Sequence, residues 1–149
     1  MKTICIGNEK GGTGKSIIKA NLAVDAGGRD TAVFRSAILA ADLLLIPVLP
    51  SQYDIWATQG TIEALNEAKT FKDIDARFIL NQVIPNTTVA KEAIEALQEF
   101  NVPILSTKLH SRVAYKQSVG EGKGVTEYEN GKAAAEVKAL YEEVRKICQ

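Results

Sequence analysis

Apolar residues along the chain fall into two alternating kinds of pattern: short unbroken runs, and stripes at helical spacing. Thr3-Ile4-Cys5-Ile6 is a short run ending at Gly7, and Leu43 to Leu49 is a longer one interrupted only by Pro47. Arg77-Phe78-Ile79-Leu80 and Val102-Pro103-Ile104-Leu105 are two more. Unbroken runs predict strands buried on both faces. Pro47, which has no N–H to give a ladder, predicts an irregular or short strand at that point.

Between these runs the period changes. A helix is predicted from Ser16, with Ile17, Ile18, Leu22 and Ala23 apolar, and Gly27 and Gly28 interrupt it. Thr31 to Ala41 carries Val33, Phe34, Ala37, Ile38 and Ala41 on one face, and Ser51 to Ala68 carries Ile55, Ile62 and Leu65. Ser51-Gln52-Tyr53-Asp54 has the spacing of a capping box at the start of that helix. Thr88 to Phe100 and Ser111 to Val119 are further helices, the second closed by the Gly120–Gly124 stretch. The last helix, Lys132 to Cys148, has Val137, Leu140, Tyr141, Val144 and Ile147 on one face. Strands alternating with helices predict an α/β fold around a parallel sheet, and the 149 residues read as a single domain, 1–149.

Composition narrows the function without choosing it. Apolar residues make up 46% and charged residues 24%, which excludes a disordered chain. Eighteen Lys plus Arg balance eighteen Asp plus Glu, so bulk charge does not point to nucleic acid. Cys5 and Cys148, far apart in sequence, read as free thiols of a reducing cytosol. No apolar run is long enough for a membrane span or signal peptide, so a soluble cytoplasmic protein is expected.

The strongest chemical signal is the turn between the first strand and the first helix, Lys10-Gly11-Gly12-Thr13-Gly14-Lys15-Ser16. The strict phosphate-loop pattern would place Gly where Glu9 stands. Even so, Gly11, Gly12 and Gly14 let backbone N–H groups turn inward around an anion. The helix that follows aims its positive end at the same point. Thr13 lies within this cradle, Lys15 can reach β- and γ-phosphates, and Ser16 can offer its hydroxyl to Mg²⁺.

The loop resembles the deviant Walker A motif of ParA/MinD-type ATPases, in which an additional lysine, here Lys10, reaches the nucleotide of a partner subunit. Val24-Asp25-Ala26-Gly27-Gly28-Arg29-Asp30 resembles that family's Walker B aspartate and switch II, which implies Asp25 as a Mg²⁺-site and catalytic residue. Leu45-Ile46-Pro47-Val48 with Pro50-Ser51-Gln52-Tyr53-Asp54 is similar to a segment of plasmid-partition ParA proteins. Leu80-Asn81-Gln82 resembles the strand end whose Asn reads adenine. Arg112-Val113-Ala114-Tyr115 and the closing helix are also ParA-like. The resemblance implies a P-loop NTPase-like sheet, ATP and Mg²⁺ as ligands, homodimerisation, a centromere-binding partner protein and nonspecific DNA. Nitrogenase iron proteins share the loop but need cluster cysteines that Cys5 and Cys148 cannot supply. No basic amphipathic segment follows the last helix, so no membrane partner is expected.

One part of the family pattern is missing. A strand and a switch I aspartate should follow the first helix, yet after Ser16 only nine residues, Ile17 to Asp25, reach the Walker B-like aspartate. A helix rises about 1.5 Å per residue and a strand about 3.3 Å. After a turn, that length allows only about five helical and two strand residues, whereas a parallel crossover needs about a dozen. The chain therefore reads as a ParA protein with an internal deletion. Either its first helix runs on and a second copy completes the sheet, giving a domain-swapped dimer, or the N-terminal piece is poorly ordered. Burial of Ile4, Ile6, Ile17 and Ile18 favours the swap. Two functions remain open: a partition ATPase whose hydrolysis is weak or lost without switch I, or a non-enzymatic swapped homodimer.

Several residues carry competing readings. Asp54 reads better as a helix-start residue than as a functional carboxylate. Asn81 is either an adenine contact or a turn residue. His110 has no nucleophile at a persuasive spacing and reads as a surface histidine, and Trp56 reads as a packing residue. Arg112, Lys116, Lys123, Arg145 and Lys146 form either a patch for DNA or a solvated face.

Overall fold

The computed structural model describes residues 2–8, 31–128 and 131–149. Among them the strands are β1 (Ile4–Ile6), β2 (Leu43–Val48) and β3 (Asp75–Leu80). The helices are α1 (Thr31–Ala40), α2 (Gln52–Ala57), α3 (Gln59–Lys69), α4 (Thr88–Gln98), α5 (Val113–Gly120), α6 (Val125–Tyr128) and α7 (Lys132–Cys148). The described strands form one parallel sheet in the order β1-β2-β3, with Ile6 opposite Leu45 and Leu45 opposite Arg77.

β2 is central and wholly buried, as its unbroken apolar run requires. Its alternating side chains feed two cores. Leu44, Ile46 and Val48 join Cys5, Ala76, Phe78 and Leu80 on one face, under Phe34 and Ile38 of α1, Ile62 and Leu65 of α3, and Leu97 of α4. Leu43 and Leu45 join Ile6 and Ile79 on the other, under Val137, Leu140 and Val144 of α7. Burying each such side chain contributes about 1.5–3 kcal/mol. Helices on both faces of a parallel sheet are the predicted α/β architecture.

β1 pairs with β2 of its own chain, and Cys5 and Ile6 are 3% and 2% exposed. The burial that a strand exchange was expected to supply for Ile6 is thus provided within one chain. Asp42 secures the start of the pairing: Thr3 N–H donates to Asp42 Oδ2 at 2.7 Å, and Lys72 lies 3.4 Å from the same carboxylate. The Thr3 hydrogen bond, with help from Lys72, holds the Asp42 carboxyl below its ordinary range. At the other end, a Cβ on Gly7 would fall well inside van der Waals contact of the Phe34 ring. Only glycine lets α1 pack this closely on the end of β1.

Four expectations are corrected. β2 continues through Pro47, because β1 has ended there. Gly7 N–H takes Leu45 O at 3.0 Å, so Pro47 faces the same side two residues on, where the Asn8 side chain reaches its carbonyl at 3.1 Å. The helix expected from Ser51 to Ala68 divides at Thr58, whose hydroxyl takes Asp54 O at 2.8 Å while its N–H is shared between Asp54 O and Ile55 O. The segment Val102–Leu105 is a single parallel bridge, Phe78 to Ile104, because Pro103 can accept from Phe78 N–H but cannot donate. Trp56 is 67% exposed, lying beside the buried Ile55–Thr58–Ile62–Leu65 stripe rather than in it.

Candidate nucleotide site

Parallel strands end on one edge, and in open α/β sheets ligands bind beyond those carboxyl ends. Asn8 follows β1, Leu49 and Pro50 follow β2, and Asn81 and Gln82 follow β3. The glycine-rich loop starts two residues after Asn8 in sequence. Lys10, Gly11, Gly12, Thr13, Gly14, Lys15, Ser16 and Asp25 lie outside the described residues. Of the residues predicted for the site, Asn81 is the described one.

Asn81 is 2% exposed, and its N–H donates to Val48 O at 3.0 Å, fixing it against the end of β2. Gln82 follows with φ 53°, in the left-handed region that costs an ordinary residue roughly 1–2 kcal/mol. Val83 then returns to regular pairing, donating to Leu109 O at 3.0 Å and bridging to His110. The turn that presents Asn81 is thus held between β2 and the segment 109–111.

A second buried polar group lies at the end of β1. Asn8 is 1% exposed; its amide donates to Pro47 O at 3.1 Å and to Thr58 Oγ1 at 3.3 Å, and its carbonyl accepts from Thr61 Oγ1 at 2.9 Å. These bonds tie the residue that leads into the loop to both β2 and the α2–α3 junction. An Asn at a strand's C-terminal end just before the glycines is the sequence signal for this residue.

Asp54 sits at the start of α2, where the sequence placed a cap. Its N–H takes Ser51 Oγ at 3.1 Å and Ser51 Oγ donates to its carboxylate. Between the β2–α2 and β3–α4 connections runs an open groove of about 270 Å³ lined by Leu49, Pro50, Ser51, Asp54, Gln82, Ile84, Thr87 and Val89. Ile84 in its lining is 61% exposed.

His110 and Arg112 are not isolated surface groups. Arg112 Nη2 and Nε donate to Glu136 Oε1 at 2.7 and 2.9 Å, and His110 Nδ1 lies 2.7 Å from the same oxygen. Burial raises the Glu136 pKa, but hydrogen bonds from Arg112, Tyr115 and His110 outweigh it and hold the carboxyl below its ordinary range. Arg112 is therefore paired rather than part of a free basic face; Lys123 and Arg145 also have acidic neighbours, Glu121 and Glu142. Nothing in the sequence marked Glu136, which lies 24 residues from Arg112. Among the described residues no His, Cys, Asp and Glu cluster could hold a metal ion, and no helix is long and apolar enough to cross a membrane.

A parallel sheet covered by helices, with a glycine-rich loop sequence leaving its first strand, defines a P-loop NTPase-like protein. Residues 4–125 match the CobQ/CobB/MinD/ParA nucleotide binding domain, and the chain belongs to that family. It is 34% identical over 118 residues to maintenance of carboxysome distribution protein A of Halothiobacillus neapolitanus, a match covering 77% of this chain and 55% of that protein. The chain thus spans little more than half the length of that relative.

Solved structures carry the same fold. An ATP complex of a Cyanothece McdA variant superposes with a TM-score of 0.70 at 14% identity, covering 97% of this chain and 96% of the other. The Pyrococcus furiosus cell division ATPase MinD gives 0.66 at 22% identity, covering 83% and 50%.

Proposed function

We propose that the chain is an ATP-binding positioning protein of the partition type, with slow hydrolysis. The observation that carries this reading is the convergence of Asn8, Pro50 and Asn81 on one sheet edge, with the Lys10–Ser16 sequence beginning two residues after Asn8. In this reading Gly11, Gly12, Thr13 and Gly14 wrap the phosphates and Lys15 neutralises the β- and γ-phosphates. Ser16 and Asp25 hold Mg²⁺, directly or through water. Asn81, rigidly buried and carrying both a donor and an acceptor, matches the chemistry of an adenine edge. Lys10 serves a second copy across a homodimer. Mg²⁺ would supply charge neutralisation on the phosphates, and the chain's own residues bind and orient them.

Cargo and partners follow the same logic. The name of the Halothiobacillus relative points to carboxysome distribution, and the ParA resemblance to DNA segregation. Both describe spacing of a large cargo, so nonspecific DNA and a cargo-side adaptor, such as a centromere-binding protein, are the proposed partners. Slow hydrolysis follows from the short Ser16–Asp25 interval, which leaves no switch I segment to orient water. Losing that positioning removes several kcal/mol of barrier lowering.

The alternative reading is a swapped homodimer that no longer binds nucleotide productively. Phosphate release with excess Mg-ATP, measured beside equilibrium ATP binding on a sample of known mass, tests the proposal. Binding with turnover far below that of full-length family members is expected; rapid multiple turnover would refute the slow-hydrolysis claim.

A further inference from the structure

We infer that Glu136 is a positioning residue that holds the Asn81–Gln82 turn in place from the far side of the sheet. The inference rests on the nucleotide reading above for its consequence, but not for its geometry.

The Glu136 carboxylate gathers three side chains and one backbone group. Arg112 Nη2 and Nε and His110 Nδ1 meet Oε1 at 2.7–2.9 Å. Tyr115 Oη and His110 N–H donate to Oε2 at 2.8 and 3.2 Å. Two helical turns further along α7, Glu143 accepts Ser106 N–H at 2.7 Å and Thr107 N–H at 2.9 Å. Residues seven apart lie on one helix face, so two carboxylates of α7 grip one stretch of chain, 106–112, near its two ends.

That stretch is laid along the end of β3. Leu105 N–H donates to Phe78 O at 2.9 Å, Leu109 N–H to Leu80 O, Val83 N–H to Leu109 O and Ser111 N–H to Val83 O, the last three at 3.0 Å. Asn81 and Gln82 lie between the rungs at Leu80 and Val83. Gln82 keeps its left-handed backbone only where its neighbours are fixed on both sides. His110, bonded to Glu136 through both N–H and ring, is the residue bridged to Val83. A displaced His110 loosens the rungs that flank Asn81, and with them the base-facing wall of the site.

The test uses the full chain and Glu136→Gln, which keeps the shape and one acceptor but loses the charge. Hydrogen exchange without nucleotide should accelerate about tenfold, as for loss of one charge-assisted bond, at the Val83, Leu109 and Ser111 amides. Exchange in β2 should be unchanged. Unchanged exchange at those three amides, or uniform acceleration of the whole sheet, overturns the inference. In a second arm, E136Q should weaken ATP by a similar factor while leaving inorganic tripolyphosphate affinity intact, because only ATP carries the base. Equal loss of both ligands, or loss of neither, overturns the proposed selectivity role. A wild-type chain that binds neither ligand refutes the nucleotide reading, and the exchange arm then decides the positioning role alone. If E136Q does not fold, His110→Ala cuts the same link outside the core, with the same expected pattern.

Discussion

Adding one methyl group at Gly7 should unseat the packing of β1. The new Cβ would overlap Phe34 Cε2 and lie 3.2 and 3.3 Å from Cδ2 and Cζ. Phe34 is 1% exposed and packed within the core beneath α1, so its ring has no open space to move into. Overpacking of this kind costs about 1–3 kcal/mol. The Gly7 N–H···O bond to Leu45, at 3.0 Å, is also put at risk, and it contributes about 0.5–1.5 kcal/mol. Gly7→Ala should therefore lose about 2–3 kcal/mol in urea unfolding, with a Tm lower by roughly 4–12 °C. Phe34→Leu makes room for the methyl, so the double variant should be more stable than the sum of the singles by about 1 kcal/mol or more. A G7A protein within 0.5 kcal/mol of wild type, or strict additivity with F34L, would refute the proposed close approach.

Other perturbations test separate parts of the account. Asn8→Ala leaves the Pro47 carbonyl and the Thr61 hydroxyl without the partner each has in Asn8, and should cost about 2–4 kcal/mol by denaturant titration. Ser51→Ala removes the cap on the Asp54 N–H and should cost about 1 kcal/mol by the same assay. Glu136 and Glu143 both titrate below the ordinary value of 4.5, in each case because hydrogen bonds to the carboxylate outweigh the opposing effect of burial. Their stabilisation is complete above the unfolded pKa and is lost as pH falls through the lowered folded values. Stability should therefore drop below about pH 4.5, more steeply in wild type than in an E136Q/E143Q variant, as thermal melts across pH 3–6 would show.

The parts of the fold legible in the sequence are those where one residue's environment follows from its neighbours. β2 was legible as a strand covered on both faces because its apolar run is unbroken from Leu43 to Ile46, whereas its regular continuation through Pro47 to Val48 was not. Phe34 and Ile38 of α1, and Val137, Leu140 and Val144 of α7, kept their helical spacing and are all buried. Trp56 and Tyr141 each sit one position from a buried residue, at the edge of a stripe where helical spacing does not separate core from surface, and are 67% and 54% exposed. The break at Thr58 was not legible in the helical stripe, which runs through it; the Thr58 hydroxyl bonds Asp54 O locally and also accepts from Asn8, 50 residues away in sequence. Glu136 was not legible because its donors, His110, Arg112 and Tyr115, come from the segment 110–115, 21 or more residues away in sequence.

For the site, the sequence placed Asn81 at a strand end, where it is found, whereas the tertiary supports of Asn81 were not legible, and the glycine loop lies outside the described residues. The left-handed Gln82 breaks local preference, and a sequence pattern has no means of announcing it. The expected exchange between copies rests on chain-length arithmetic for Ile17–Asp25, a stretch that lies outside the described residues.

The central claim is that this chain binds ATP through the loop leaving β1. The most direct measurement is a calorimetric titration of Mg-ATP into the wild-type chain and into Lys15→Ala, on samples of measured mass. The account predicts saturable binding near one nucleotide per chain in wild type and its loss in K15A. Absence of binding by the wild type, or equal binding by both proteins, would contradict it.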